Sequence, residues 1–136
     1  MRSLTPAGRS EVLGTARALL ARGIAVAEIR HSGLTRARET AEILGGALAP
    51  PRGVSATTGL APEDDPEVAA AALDLATAPL MLVGHLPHLA RLAATLAGGA
   101  AVERITFAPA TALGLRRSPD RWELELLVPP QAGVPA

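Results

Sequence analysis

Pro79-Leu80-Met81-Leu82-Val83 is a continuous apolar run that passes directly into Gly84-His85. A short run with no polar position marks a strand buried on both faces of a parallel sheet. The flanking sequence fits such a sheet. Thr5-Pro6 reads as a helix start, with Thr5 as N-cap and Pro6 in the first helical position. Val12, Leu13, Ala16, Leu19 and Leu20 then follow a helical stripe, and Gly23 is a natural stop. Ile24 to Ile29 (IAVAEI) reads as a short strand. Leu34, Ala37, Ala41 and Leu44 form a second helical stripe, ended by Gly45-Gly46. VSATTGL (54–60) reads as a strand, and the Ala-rich EVAAAALDLATA after Pro66 as a helix. Leu89, Leu92, Ala93 and Leu96 give a clear amphipathic helix. ATALGLRR and RWELELLV, separated by SPD, read as a hairpin. The expectation is an α/β fold: a mainly parallel sheet flanked by helices on both faces, with a C-terminal hairpin. One domain is expected over residues 1–128, with a loose tail over 129–136.

Composition narrows the function classes. The chain has 136 residues, 49% of them apolar, which suits one domain with one core. Phe107 and Trp122 are the only aromatic residues, so Leu, Val, Ile and Ala must build that core. No cysteine is present, which excludes disulfides, thiolate catalysis and cysteine metal sites. The 13 basic residues, all Arg, balance 13 acidic ones, so the chain is not a general nucleic-acid binder. The most apolar region, Val68 to Val83, is broken by Asp74 and Pro79 and is not a membrane span. MRSLTPAGRSEV shows no apolar stretch behind its basic residue, so a soluble, cytoplasmic protein is expected.

Ligands of open α/β sheets gather at the C-terminal ends of the strands. Two stretches qualify. Val83-Gly84-His85-Leu86-Pro87 leads from the apolar strand into a helix N-terminus, where free N–H groups and the helix dipole favour an anion. His31-Ser32-Gly33 leads into the second helix, with Arg36 one turn in and Thr40 on the same face. Arg36 reads either as a phosphate clamp or as a surface partner of Glu39 and Glu42. His85 reads as a functional group or as a helix cap. His85-x-x-His88 has metal-ligand spacing but no third ligand nearby, so no metal is expected. Asp64-Asp65 reads as a general acid or as a solvated turn.

LTPAGRSEV, HSGLTRARETAEIL, APEDD and VGHLPHLARLAATL occur in an order that resembles the SixA type of phosphohistidine phosphatases, in the phosphoglycerate mutase-like histidine phosphatase superfamily. The likeness runs from Leu4 to about Pro129. It implies a phosphoryl group passed to an enzyme histidine and then to water, with no cofactor. By position, Arg36 and His85 match the second Arg and second His of the family's phosphate pocket. Ser32 lies at the strand end that opens towards that pocket. IRHSG falls in the block that carries Arg36, so His31 is expected at the pocket rim or capping the next helix. The family's nucleophile sits on a first strand before LTPAGR, and this chain has only Met1, Arg2 and Ser3 there. Ser32 has no base evident in the sequence and does not replace it.

Loss of such a strand would remove apolar burial worth on the order of 6–12 kcal/mol. That is comparable with a whole domain's stability of about 5–15 kcal/mol. The expectation is therefore a chain shortened at its N-terminus relative to the gene product, lacking the first strand and inactive by itself. The resemblance implies a partner bearing phosphohistidine, such as a histidine phosphotransfer domain, or else a small phosphate ester. Neither a nucleic acid nor a membrane is expected as a partner. The competing expectation is an inactive phosphate-binding or interaction module of the same fold.

Overall fold

The computed structural model describes residues 3–130. The first helix, α1 (Pro6–Ala21), begins as its sequence suggests: Thr5 Oγ1 accepts from the Gly8 amide at 3.0 Å. Next come β1 (Glu28–His31), α2 (Thr35–Leu48), β2 (Val54–Ala56), α3 (Pro66–Leu75), β3 (Leu80–Val83) and α4 (His88–Ala97). A short α5 (Gly99–Val102) precedes the hairpin of β4 (Ala112–Arg117) and β5 (Trp122–Val128). The parallel sheet has the order β2-β1-β3, and β4 and β5 form a separate antiparallel sheet.

Alternation along the strands sorts the core into two clusters. Ile29, Met81 and Val83 pack with Val12, Ala16 and Leu19 of α1 and with Ala37, Ala41 and Leu44 of α2. Leu82 faces the other way, onto Leu60, Ala69, Ala70 and Leu92. The small side chains of α2 and α3 let each helix lie close to its neighbours. Hairpin residues Ala112, Leu126 and Val128 join the first cluster.

Three expectations change. The first strand of the structure starts at Glu28 rather than Ile24, because pairing with β3 begins there, at Glu28 opposite Leu80. Ile24 instead bonds back to the Leu19 carbonyl, and Ile24 and Val26 reach the core from a loop. Second, α2 does not end at Gly45-Gly46 but continues to Leu48. Gly45 is there for proximity: a Cβ on it would stand 2.5 Å from Val54 Cγ2 of β2. Third, β3 packs against core on both faces, Met81 and Val83 on one and Leu82 on the other, but its burial is incomplete. Leu80, Met81 and Leu82 are half-buried, and among the described residues β3 pairs with β1 alone. The tail expected over 129–136 lies largely outside the described residues.

The LTPAGR segment is held to α2 by one carboxylate. Glu39 Oε1 accepts from the Leu4 amide at 2.8 Å, and its Oε2 pairs with Arg9 at 2.6 Å. The hairpin is tied to the end of α3. Arg117 donates to the carbonyls of Leu73, Asp74 and Ala76 at the end of α3, where the Leu73 carbonyl also accepts from the Ala76 amide. Trp122 Nε1 donates to Asp74 Oδ1 at 3.2 Å.

Candidate active site

The register places His31 opposite Val83, so β1 and β3 end side by side. Residues leaving those ends must meet. Ser32 Oγ lies 2.7 Å from His85 Nε2. The same Oγ accepts from the Leu34 amide at 3.2 Å, which fixes the hydroxyl at the entrance to α2. The expectation that Ser32 has no base beside it is thus corrected: His85 is in hydrogen-bond contact. Sequence distance hid this, since the two residues are 53 positions apart.

Ser32 also lines a cavity of about 490 Å³, together with Thr57, Thr58, Gly59, Ala61, Asp64, Asp65 and Val68. The loop after β2 forms that wall. It comes close because residue 84 is glycine, where a Cβ would sit 3.2 Å from the Leu60 carbonyl. Asp64 Oδ2 accepts from the Ala61 amide at 2.9 Å and closes a turn. Asp65 caps α3 through the Glu67 amide at 2.9 Å. Both aspartates therefore have structural roles and still border the cavity. Thr57 and Thr58 were not singled out from sequence, since hydroxyl residues in a short loop carry no distinctive spacing.

No side chain caps the start of α2 or α4; the first-turn amides of α2 keep their donor capacity for a ligand, whereas in α4 the Leu89 amide donates to the His85 carbonyl at 2.9 Å. Arg36 lies in that first turn of α2. It is exposed, and it makes no ion pair or hydrogen bond with another described residue. Its neighbour Arg38 instead approaches Glu42 at 3.8 Å.

The three histidines differ in surroundings. His31 is buried, and its Nδ1 accepts from the Gly33 amide at 3.0 Å, so that nitrogen is committed to the turn before α2. Burial lowers its pKa, with Glu42 opposing and Arg38 adding to the effect. Burial also lowers the pKa of His85, and the nearby His88 lowers it further. His88 is fully buried in the first turn of α4, and neither ring nitrogen has a hydrogen-bond partner among the described residues. Burial pushes its pKa down, while Asp64 and the Gly59 backbone, near the ring but outside hydrogen-bond geometry, oppose it and Arg91 adds to it. Among the described residues no three His, Cys, Asp or Glu side chains come together as a metal site.

The three-stranded parallel sheet, its flanking helices and the separate C-terminal hairpin make a fold similar to that of solved SixA structures. The chain superposes on a protein from Agrobacterium tumefaciens assigned as the phosphohistidine phosphatase SixA. The TM-score is 0.83 and the identity 22%, over 96% of this chain and 84% of that one. The protein histidine phosphatase SixA complexed with tungstate gives a TM-score of 0.84 at 23% identity, over 93% of this chain and 83% of that one. Mycobacterial hydrolase 1 gives 0.65 at 18% identity, over 91% and 86% respectively. No protein-family profile matches the sequence, and no curated protein matches it.

Proposed function

We propose that this fold serves a phosphohistidine phosphatase, with Arg36 and His85 binding the transferred phosphoryl group and Ser32 beside them. The observation that carries the reading is the meeting of Ser32 and His85 at two adjacent strand ends, beside uncapped helix starts. A neutral imidazole nitrogen attacks phosphorus in line, and water then hydrolyses the resulting phosphohistidine. Arg36, His85 and first-turn amides of α2 offset charge on the equatorial oxygens.

None of the three histidines of the described residues is set up as that nucleophile. His31 is committed to its turn, His88 is fully buried, and His85 is paired with Ser32. The nucleophile is therefore assigned to a further strand alongside β3. The half-buried apolar side chains of β3, and its pairing with β1 alone among the described residues, support that position. Residues 1–136 alone then bind phosphate without turnover.

A phosphohistidine leaving group departs once its imidazole is protonated, which lessens the need for a strong acid. That favours a protein phosphohistidine over an ester, for which Asp64 or Asp65 would have to serve as the acid. The test is to trap the intermediate on the native protein with a phosphohistidine donor. An acid-labile, alkali-stable phosphoryl label on a histidine next to β3 is expected. A label on Ser32, or none during turnover, would overturn the assignment.

A further inference from the structure

The cavity that Ser32 borders has a chemistry of its own. Neither Arg36 nor His85 lines it; it adjoins their site through Ser32, whose Oγ lies 2.7 Å from His85 Nε2. Its lining divides in two. Ala61 and Val68 supply an apolar side, on which Val68 is 52% exposed although it is aliphatic. Gly59 keeps this side open, since a Cβ there would stand 2.7 Å from Val68 Cγ1. Thr57, Thr58, Asp64 and Asp65 supply a polar side. Each carboxylate commits one oxygen to a backbone amide, Asp64 Oδ2 to Ala61 and Asp65 Oδ1 to Glu67, both at 2.9 Å. Their other oxygens have no hydrogen-bond partner among the described residues, and neither aspartate pairs with an arginine. Arg91 of α4 approaches Glu63 of the same loop instead, at 4.0 Å. Behind the wall lies His88, fully buried, close to Asp64 and Gly59, with both ring nitrogens unpartnered among the described residues. The fold thus gathers polar groups on and behind one wall and gives its carboxylates no cation.

We propose that this cavity is a subsite for a basic side chain, lysine or arginine, that neighbours phosphohistidine on the partner protein. This rests on the phosphatase reading above and adds to it a second point of recognition. Lysine and arginine combine an apolar stem with a cationic head rich in donors. The stem fits along Val68 and Ala61. The head reaches the free oxygens of Asp64 and Asp65 and the hydroxyls of Thr57 and Thr58. Ser32 belongs to both sites, so the cation sits beside the phosphoryl group. An acidic neighbour would meet two carboxylates with nothing to offset them, and the cavity rejects it. A small phosphate ester without a cationic arm leaves the cavity unused, so the subsite favours a protein substrate over such an ester.

The native protein is titrated with short peptides that carry a hydrolysis-resistant triazole phosphonate in place of phosphohistidine. The flanking residues on both sides are lysine in one peptide and norleucine, a stem without the charge, in the other. Calorimetry is expected to show the lysine peptide binding wild type about tenfold more tightly, the worth of one charge-assisted hydrogen bond. That advantage should shrink in high salt. Changing Asp64→Asn and Asp65→Asn together keeps an acceptor oxygen for the Ala61 and Glu67 amides and removes both charges. The double variant is expected to lose the lysine preference while binding the norleucine peptide no more weakly, which also shows that it is folded. No lysine preference in wild type would overturn the subsite and leave the phosphate site standing. A preference that survives in the double variant would overturn the assignment to this cavity. Peptides with unmodified histidine that bind wild type as tightly as the phosphonates would overturn the phosphate-site reading itself, and the subsite with it.

Discussion

At the residue scale, burial and then the nearby His88 disfavour the charged form of His85 and lower its pKa. Its Nε2 lies 2.7 Å from Ser32 Oγ. Arg36 presents the opposite design, a permanent charge left exposed at a helix start. On the proposed phosphatase function, changing Arg36 to Ala in the native protein should lower turnover by about 10²–10³, the usual loss for one preorganised donor. Steady-state phosphate release measures this, and an unchanged rate would remove Arg36 from the site. His88 makes a separate prediction. Two unpartnered buried nitrogens cost stability, about 1–3 kcal/mol for a group of this kind. His88→Leu should therefore raise stability at pH 7.5 by about 1 kcal/mol in urea unfolding. A loss of stability would show that the ring has a polar partner.

At the element scale, two adjacent glycines of α2 should respond in opposite directions. Gly45→Ala drives a methyl to within 2.5 Å of Val54 Cγ2, and overpacking of this kind costs about 1–3 kcal/mol. Gly46 faces open space, so Gly46→Ala should stabilise the helix by about 0.5–1 kcal/mol. Thermal melts of the two variants would show the split, and equal effects would contradict the packing of α2 on β2. This pair also shows what the sequence could and could not tell. The stripe of Ala37, Ala41 and Leu44 was legible because it has helical period. Gly45 read as a stop, because a glycine kept for close approach looks the same as one kept for a turn. The start of β1 was misplaced for a similar reason: Ile24 and Val26 are as apolar as strand residues, and only the pairing partner decides where the ladder begins. The site was legible in part. Strand ends followed by helix starts pointed to Ser32, Arg36 and His85, but contact between Ser32 and His85 depends on the order β2-β1-β3, which local pattern does not encode.

At the scale of the whole molecule, three histidines have pKa values lowered in the fold, and desolvation is the largest cause for each. Folded-state values below the unfolded ones mean that the unfolded chain takes up protons first as pH falls. Stability should thus be flat above about pH 7 and fall as pH drops below the ordinary imidazole value of about 6.5. Trp122, the single tryptophan, anchors the hairpin to α3 and can report urea unfolding across that range. His88→Leu should flatten the profile by removing one of the three groups. The molecule is also divided between a three-stranded sheet and a separate hairpin that share one core, with β3 paired on one side among the described residues. The most direct measurement is phosphate release from a phosphohistidine-bearing phosphotransfer domain by the native protein purified from its source, alongside its His85→Ala variant and residues 1–136 alone. The account predicts release by the native protein, a fall of about 10²–10³ in His85→Ala, and none from residues 1–136. No release by the native protein, or release undiminished in His85→Ala, would contradict it.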